Sequence, residues 1–275
     1  MTSVTPRTAS LYRMPTAFGP HPGPRQRPGG GRWTDPDRGS TVMLSLTVRS
    51  DPARLAALLP APFTLDGDHC TVVAAELRDL PWLAGRGYNV LSVSVPVVHR
   101  GRETVHGDLE LVTWESLADP IISGREELGF NKVYADVGDL RTDSEAGTVS
   151  LSAAWDGFVF AQLSGRAFAS PAPDTPPTAP RPGLHHRYVP APGRWGDADA
   201  EEVTCTGFAA APQTRVASVR TGQGAVAFRT ATFEQLPTLH HIVNPLSELP
   251  VMGTPCATLT VTTGYADGYD VRVLA

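Results

Sequence analysis

The sequence predicts a mainly β fold of the α+β kind, in which one curved or closed antiparallel sheet carries a few short helices. Short runs of β-branched and apolar residues recur along most of the 275 residues, whereas segments with helical periodicity are rare. Hydrophobic residues make up 41% of the chain and charged residues 19%, which is enough apolar material for a buried core. We therefore expect a single domain spanning residues 1–275.

The first half of the chain contains the best-defined strands. Residues 41–48 and 70–77 are rich in Val, Leu and Thr, and residues 89–98 alternate apolar with small polar side chains. Between the first two strands, residues 51–59 are predicted to form a short helix, because Asp51 can cap it and a proline suits its first turn.

Short strands continue through the second half. The dipeptide Asp156-Gly157 predicts a hairpin between residues 148–154 and 158–164. A helical turn over residues 119–127 precedes this hairpin, and residues 233–244 show no regular pattern. The other predicted strands share β-branched and apolar residues, and the last two of them are expected to pair: 109–113, 204–208, 216–219, 225–232, 257–263 and 269–274.

Two proline-rich segments are not expected to form regular helix or central strand. Residues 1–31 form an N-terminal arm rich in Pro and Gly, and residues 169–183 form a long irregular loop. Because the segments on both sides of this loop are equally rich in strands, the loop is not interpreted as a domain boundary.

Composition and charge exclude several classes of partner. A formal net charge of -5 gives no basic surface for nucleic acid or an anionic membrane. No apolar segment approaches the ~20 residues needed to cross a bilayer, and the N-terminus lacks an apolar signal core, so a cytoplasmic protein is expected. The three cysteines are widely separated and are interpreted as buried residues. The adjacent histidines at 185–186 and 240–241 would point to opposite sides of a strand, so neither a metal nor another cofactor is predicted.

Lys132 is the one lysine among 23 cationic side chains, and all the others are arginine. It stands where a charged segment gives way to the apolar residues 133–135. Lysine can become a neutral amine when it is desolvated, whereas arginine stays protonated at any useful pH. Lys132 is therefore either an amine nucleophile or a surface lysine left by a compositional bias towards arginine.

The residues before Lys132 form a recognisable pattern. Gly124-Arg125-Glu126 is followed by an aromatic residue at Phe130 and then by Lys132. This pattern resembles the signature of the acetoacetate decarboxylase family, which runs Gly-Arg-Glu, a short spacer, an aromatic, Pro, Lys, Lys, with the same spacing from Gly to the first Lys. Further similarities cover most of the chain from about Met14 onwards, at 14–24, 49–62 and 244–251. The resemblance implies the cone- or barrel-like antiparallel sheet of this family.

The resemblance also implies Schiff-base chemistry at Lys132. In the family, the first lysine of the pair condenses with a substrate ketone, and the iminium accepts the electrons released when a carboxylate leaves as carbon dioxide. The amine must be neutral to attack, although an ordinary lysine is almost fully protonated at pH 7. Acetoacetate decarboxylase is itself a standard example of a lysine activated by desolvation or by a neighbouring cation. In this chain the apolar residues 133–135 offer burial as the means.

Three positions depart from the family pattern. Val133 replaces the second lysine, Asn131 replaces the proline, and Val90 stands where the family has a glutamate two residues after a tyrosine, here Tyr88. Burial would therefore have to neutralise the amine without an adjacent ammonium group. Glu76 matches a second family glutamate only if a small insertion precedes it. We expect decarboxylation of acetoacetate to be weak or absent.

These observations lead to the hypothesis of a Schiff-base-forming lyase that acts on a small 2-oxo or 3-oxo acid. It would work as a decarboxylase or as an aldolase, dehydratase or cyclase, for example in secondary metabolism. The predicted catalytic residues are the nucleophile Lys132, the carboxylate clamp Arg125, and the proton carriers Glu126 and Glu76. The predicted substrate-binding residues are Phe130, Tyr88 and Asn131.

Each of these assignments has a simpler alternative. Arg125 and Glu126 can form an ion pair that shapes the loop, Glu76 can be an exposed acid at a strand end, and Phe130 and Tyr88 can fill the core. The competing function is a small-molecule-binding protein without catalysis that retains the fold. The family resemblance further implies a homo-oligomer.

Overall fold

A computed structural model describes residues 14, 23–33, 35–171, 181–207, 214–265 and 270–274. Most of the predicted N-terminal arm, residues 1–31, lies outside the described residues, as does most of the predicted loop, residues 169–183. The division into domains therefore stays a prediction.

In the described part of the chain, fifteen strands join one mixed sheet. The strands are β1 Asp35–Arg49, β2 Phe63–Leu65, β3 His69–Leu80, β4 Arg86–Arg100, β5 Thr104–Glu115, β6 Lys132–Tyr134, β7 Asp136–Val137, β8 Arg141–Asp143, β9 Thr148–Trp155, β10 Phe158–Ala169, β11 Gly183–Pro190, β12 Ala198–Thr206, β13 Arg215–Phe228, β14 Cys256–Tyr265 and β15 Val271–Leu274. Their order is β15-β12-β11-β5-β4-β3-β1-β14-β13-β10-β9-β7, with β2 on β4, β6 on β5 and β8 on β9. Among the described strands, the pairings of β11 and of β6 with β5 are parallel and the other pairings are antiparallel.

The sheet curls over one hydrophobic core. Trp114 of β5 lies 5.2 Å from Phe160 of β10 and 6.3 Å from Phe228 of β13, measured between ring centroids. Because β5 is far from β10 and β13 in the strand order, two distant parts of the sheet face each other across the core. The predicted mainly β fold with a curved sheet is confirmed.

Three short α-helices accompany the sheet in the described residues. They are α1 Pro52–Ala56, α2 Ala118–Ser123 and α3 His240–Ser247, and α2 continues directly into a π-helix, Gly124–Leu128. The carboxylate of Asp51 caps α1 as predicted, accepting a hydrogen bond from the Ala53 amide at 2.8 Å. The helix ends earlier than predicted, at Ala56. None of the described helices is long and apolar enough to span a membrane.

Several local predictions need correction. The turn at Asp156-Gly157 does connect β9 to β10, with φ values of 47° and 81° that suit a tight hairpin. The two predicted terminal strands, however, do not pair. β14 lies between β1 and β13, whereas β15 pairs with β12.

The sequence patterns divided one strand into two and missed one helix. β13 is one strand where two were predicted. α3 was not predicted because Pro245 lies inside it, but its buried residues Val243 and Leu246 anchor it on the core. Of the cysteines, two are buried as predicted and Cys256 is exposed.

Candidate active site

Lys132 is the first residue of β6, and the register of β6 decides which way its side chain points. In the parallel pairing of β6 with β5, Lys132 lies opposite Thr113 and Tyr134 lies opposite Glu115. Side chains alternate along a strand, so Lys132, Thr113 and Glu115 share one face. Trp114 points the other way, into the core.

A β-bulge brings a second acid to the lysine's face. Along the pairing of β4 with β5, the register shifts so that Leu111 has no partner, whereas Glu110 and Val112 do. In a regular strand Glu110 would share the core face of Val112 and Trp114. The extra residue moves Glu110 to the face of Lys132 instead.

The amine of Lys132 is held by polar and aromatic contacts. Its Nζ lies 2.8 Å from Oε1 of Glu115, and the two side chains are 12% and 2% exposed. Nζ also donates a hydrogen bond to the carbonyl oxygen of Pro120 at 3.3 Å and lies 5.1 Å from the centroid of the Phe130 ring. The amine nitrogen of Lys132 therefore occupies a defined position beside a carboxylate.

Gly124 makes room for this side chain. A Cβ atom at position 124 would lie 2.6 Å from Cδ and 2.9 Å from Nζ of Lys132, closer than such atoms can approach. At the other end of the π-helix, Gly129 adopts φ 84°, and the Phe130 amide then donates to the Gly124 carbonyl at 3.1 Å. The glycine of the Gly-Arg-Glu pattern is therefore explained sterically, because a larger residue at position 124 would collide with the Lys132 side chain.

Glu110 is fixed by Asn131. The backbone N–H of Asn131 donates to Oε1 of Glu110 at 2.9 Å, and the Asn131 amide donates to the Glu110 carbonyl at 2.7 Å. Part of the Glu110 side chain stays accessible, but protein atoms surround its carboxyl group. This desolvation raises the pKa of Glu110 to about 7, against the opposing pull of the Lys132 charge. Glu110 can therefore both accept and release a proton near neutral pH.

His185 forms a neutral wall beside these groups. Its ring stacks on Phe130 at a centroid distance of 3.8 Å, and its Nε2 lies 3.2 Å from the hydroxyl of Thr206. His185 is 2% exposed, and burial, assisted by the charge of Lys132, lowers its pKa to about 3. Its Nδ1 is buried without a hydrogen-bond partner. The imidazole therefore stays uncharged at neutral pH.

The structure brings only part of the predicted set to the amine. Phe130 contacts it, and Asn131 acts through Glu110. Tyr88 lies on the same sheet face, two residues along β4 from Val90. Of the apolar residues 133–135, Val133 points to the face opposite the amine, Tyr134 is 48% exposed and Ala135 is fully buried.

The other three predicted residues do not approach the amine. Arg125 is exposed and donates from Nη1 to the backbone carbonyl of Lys132 at 2.9 Å, which fixes the strand rather than the amine. Glu126 is exposed, and its backbone carbonyl accepts from Arg187. Glu76 of β3 is on the opposite sheet face, where it lies 3.4 Å from Arg78.

The acids beside the lysine were not predicted from the sequence. The available signal was the presence of Glu110 and Glu115 in a predominantly apolar strand, because charged side chains are rarely placed in a buried strand without a partner. Val90, where the family pattern has its glutamate, pairs directly with Glu115. The family glutamate is missing at position 90 of β4, but Glu115 places a carboxylate at the paired position of the neighbouring strand β5.

The raised pKa of Glu110 has a measurable effect on stability. The folded protein binds this proton up to about pH 7, whereas the unfolded chain releases it near pH 4.5. Stability from this group is therefore fully present below pH 4.5 and is lost as the pH rises through 7. Between pH 4.5 and pH 8 we expect the free energy of unfolding to fall by on the order of 3 kcal/mol more in the wild type than in Glu110→Gln.

Urea unfolding of both proteins at several pH values measures this difference. Glu126→Gln removes the same charge from an exposed position and serves as the control. Parallel pH profiles for the wild type and Glu110→Gln would contradict the assignment.

Comparisons with known proteins agree with this architecture. The structure is similar to the enduracididine biosynthesis enzyme MppR in complex with the condensation product of pyruvate and imidazole 4-carboxaldehyde, with TM-score 0.65 and 14% identity over 86% of this chain and 88% of that one. It is also similar to an acetoacetate decarboxylase-like enzyme from Sphingomonas wittichii RW1, with TM-score 0.65 and 18% identity over 90% and 97% of the two chains. Acetoacetate decarboxylase from Legionella pneumophila subsp. pneumophila str. Philadelphia 1 matches with TM-score 0.64 and 16% identity over 90% and 92%.

At these identities the structural likeness shows a shared fold. No curated protein sequence matches the chain. The family model of acetoacetate decarboxylase matches residues 13–265, which is most of the sequence. The chain therefore belongs to the acetoacetate decarboxylase family.

Proposed function

We propose that this protein is a Schiff-base-forming lyase that acts on a small 2-oxo or 3-oxo acid, with Lys132 as its nucleophile. The observation that carries this proposal is the position of the Lys132 amine, 2.8 Å from Glu115 and largely buried. Glu110, on the same face, titrates near neutral pH. An amine nucleophile with carboxyl groups on the same sheet face provides both the attacking group and the proton carriers that carbonyl chemistry uses.

The two acids have separate tasks in forming the iminium. The neutral amine attacks the ketone carbon, and the carbonyl oxygen must leave as water. This step moves one proton from nitrogen to oxygen and takes a second proton from an acid. Glu115 is within hydrogen-bond distance of the attacking nitrogen and can relay the first proton. Glu110, protonated in about half of the molecules near pH 7, can supply the second.

The iminium can then react in two ways. Loss of carbon dioxide from the iminium of a 3-oxo acid, or loss of a proton from the carbon next to the iminium carbon of a 2-oxo acid, leaves an enamine on Lys132 in both cases; the enamine of the 2-oxo acid keeps its carboxylate. The enamine can take up a proton, or it can attack an aldehyde, after which dehydration or cyclisation follows. MppR, bound to a condensation product of pyruvate and an aldehyde, supports the second course within this fold. Val133, in place of a second lysine, also favours a reaction other than acetoacetate decarboxylation.

The substrate is proposed to lie between Phe130, Asn131 and Tyr88, with His185 as an added uncharged contact. Glu126 and Glu76 stay secondary candidates for proton transfer, because neither carboxylate is near the amine in this conformation. For Arg125 to clamp a substrate carboxylate beside the amine, its guanidinium would have to leave the Lys132 carbonyl. We also propose a homo-oligomer, as the family resemblance implies.

Borohydride trapping tests this proposal directly. The protein is incubated with pyruvate, acetoacetate and a wider panel of oxo acids, reduced, and measured by intact mass. We expect one adduct per chain with at least one oxo acid and none with Lys132→Ala. Because Lys132 is the single lysine, the other primary amine that can be trapped is the N-terminal amine. Peptide mapping shows which of the two amines carries the adduct.

Failure to trap any oxo acid, with the protein shown to be folded, would favour the alternative of a binding protein without catalysis. An adduct that persists in Lys132→Ala would exclude Lys132 as the nucleophile.

A further inference from the structure

A second cavity lies directly behind the lysine, on the opposite side of β5 and β6. Its volume of about 420 Å³ is within the range of small-molecule sites. Val112 and Val133 form part of its wall, and both side chains point away from the face that carries Lys132. The cavity is therefore separated from the amine by the strands themselves.

A break in the sheet creates this cavity. β11 pairs with β5 at residues 108–109, and β6 pairs with the same edge at residues 113–115. In the described part of the chain, residues 110–112 have no strand beside them on that edge. The opening is lined instead by the loop after α1, through Leu58, and by α3, through His241 and Ile242.

The cavity wall combines one arginine with histidine, other polar and apolar side chains. Arg125, His186 and His241 line the cavity, together with apolar side chains from four separate segments. Arg125 donates one hydrogen bond to the Lys132 carbonyl and forms no ion pair with a carboxylate among the described residues.

Two acids near the cavity are already engaged. Glu201 lies 3.4 Å from His186. Glu110 also lines the cavity, but its carboxylate accepts the Asn131 N–H and lies on the side of Lys132. The arginine is therefore the strongest unmatched charge in this cavity.

We propose that the cavity binds a small organic carboxylate with an apolar body, such as a short-chain fatty acid or an aryl carboxylic acid. The carboxylate pairs with the fork of donors on Arg125, a geometry in which two parallel hydrogen bonds form. The apolar body packs against Leu58, Leu111 and Ile242. Because Arg125 also holds the Lys132 carbonyl, the bound molecule lies one backbone group from the nucleophile without touching the amine.

Isothermal titration with hexanoate and benzoate, and with the neutral amides hexanamide and benzamide, tests this site. We expect the carboxylates to bind and the amides to bind much more weakly. Arg125→Gln should weaken carboxylate binding about tenfold or more, since a charge-assisted hydrogen bond is lost. Leu58→Trp should abolish binding by filling the cavity while leaving Arg125 in place. Arg100→Gln, at an exposed strand end, is the matched control and should change nothing.

Lys132→Ala separates this site from the active site, because binding behind the strand should persist without the amine. The proposal therefore holds or fails independently of Schiff-base formation, and circular dichroism confirms that each variant is folded. It would be overturned by equal binding of acids and amides, by the absence of binding at millimolar concentration, or by binding that needs Lys132 but tolerates both Arg125→Gln and Leu58→Trp.

Discussion

Replacing Glu115 by glutamine is expected to slow the reaction of Lys132 by between about 10² and 10⁴-fold, the usual contribution of a positioned proton carrier. Glutamine keeps the size of the side chain and a hydrogen bond to Nζ, but it cannot take a proton from the attacking nitrogen. The nitrogen and the carboxylate are 2.8 Å apart, so no other described acid has an equally direct contact.

The exchange of the α-protons of an oxo acid measures this effect, when the protein is incubated in deuterated water and without reductant with an oxo acid that gives an adduct in the trapping experiment. The exchange requires iminium and enamine formation but no second substrate, and proton NMR follows it for each variant. Removal of one partner of a buried ion pair also destabilises the fold. The folded fraction of Glu115→Gln is therefore measured by thermal unfolding, and exchange is expressed per folded molecule.

Glu126→Gln is the comparison variant, because it removes an exposed glutamate from the same region of the chain. We expect its exchange rate to stay close to that of the wild type. A wild-type rate in Glu115→Gln together with a large loss in Glu126→Gln would reverse the assignment and return the proton carrier to the position that the sequence pattern suggested.

Replacing Gly124 by alanine is the second change with a large expected effect. The new Cβ would overlap Cδ, Cε and Nζ of Lys132, with distances of 2.6, 2.8 and 2.9 Å. These atoms belong to the far end of a flexible side chain, so the lysine moves and the backbone does not. Displacement of a reacting atom by about 1 Å can cost on the order of 100-fold in rate. We expect a loss of at least this size in exchange and in borohydride trapping.

The free energy of unfolding of Gly124→Ala should rise slightly or stay close to that of the wild type, although the reaction rate falls. Position 124 has helical φ and ψ of -65° and -43°, where alanine is favoured over glycine by up to ~1 kcal/mol. Denaturant unfolding therefore separates a displaced amine from a damaged fold. Glu126→Ala, in the same π-helix, controls for the gain in helix propensity and should retain activity. Activity equal to the wild type in Gly124→Ala would show that the lysine does not need the position described here.

The sequence predicts the scaffold well because its signals are local. Alternation along residues 89–98 and the turn at Asp156-Gly157 specify strands and a hairpin without reference to distant residues. The elements that escaped prediction depend on distant partners. β15 pairs with β12, which lies far from it in the sequence. α3 forms despite the proline inside it, because its apolar side is buried on the core.

The same distinction between local and distant signals applies to the candidate active site. The lysine, the glycine that lies against it and its aromatic neighbour could be predicted from the chain alone, because these residues lie within nine positions of one another and their spacing is visible in the sequence. Which acids lie beside the lysine depends on how distant strands pair, and this became visible in the folded structure. One bulge in β5 and the register of β6 select Glu110 and Glu115 and leave Glu76 on the far face. A shift of one residue in strand pairing exchanges the two faces of a strand, and no local pattern records where such a shift occurs.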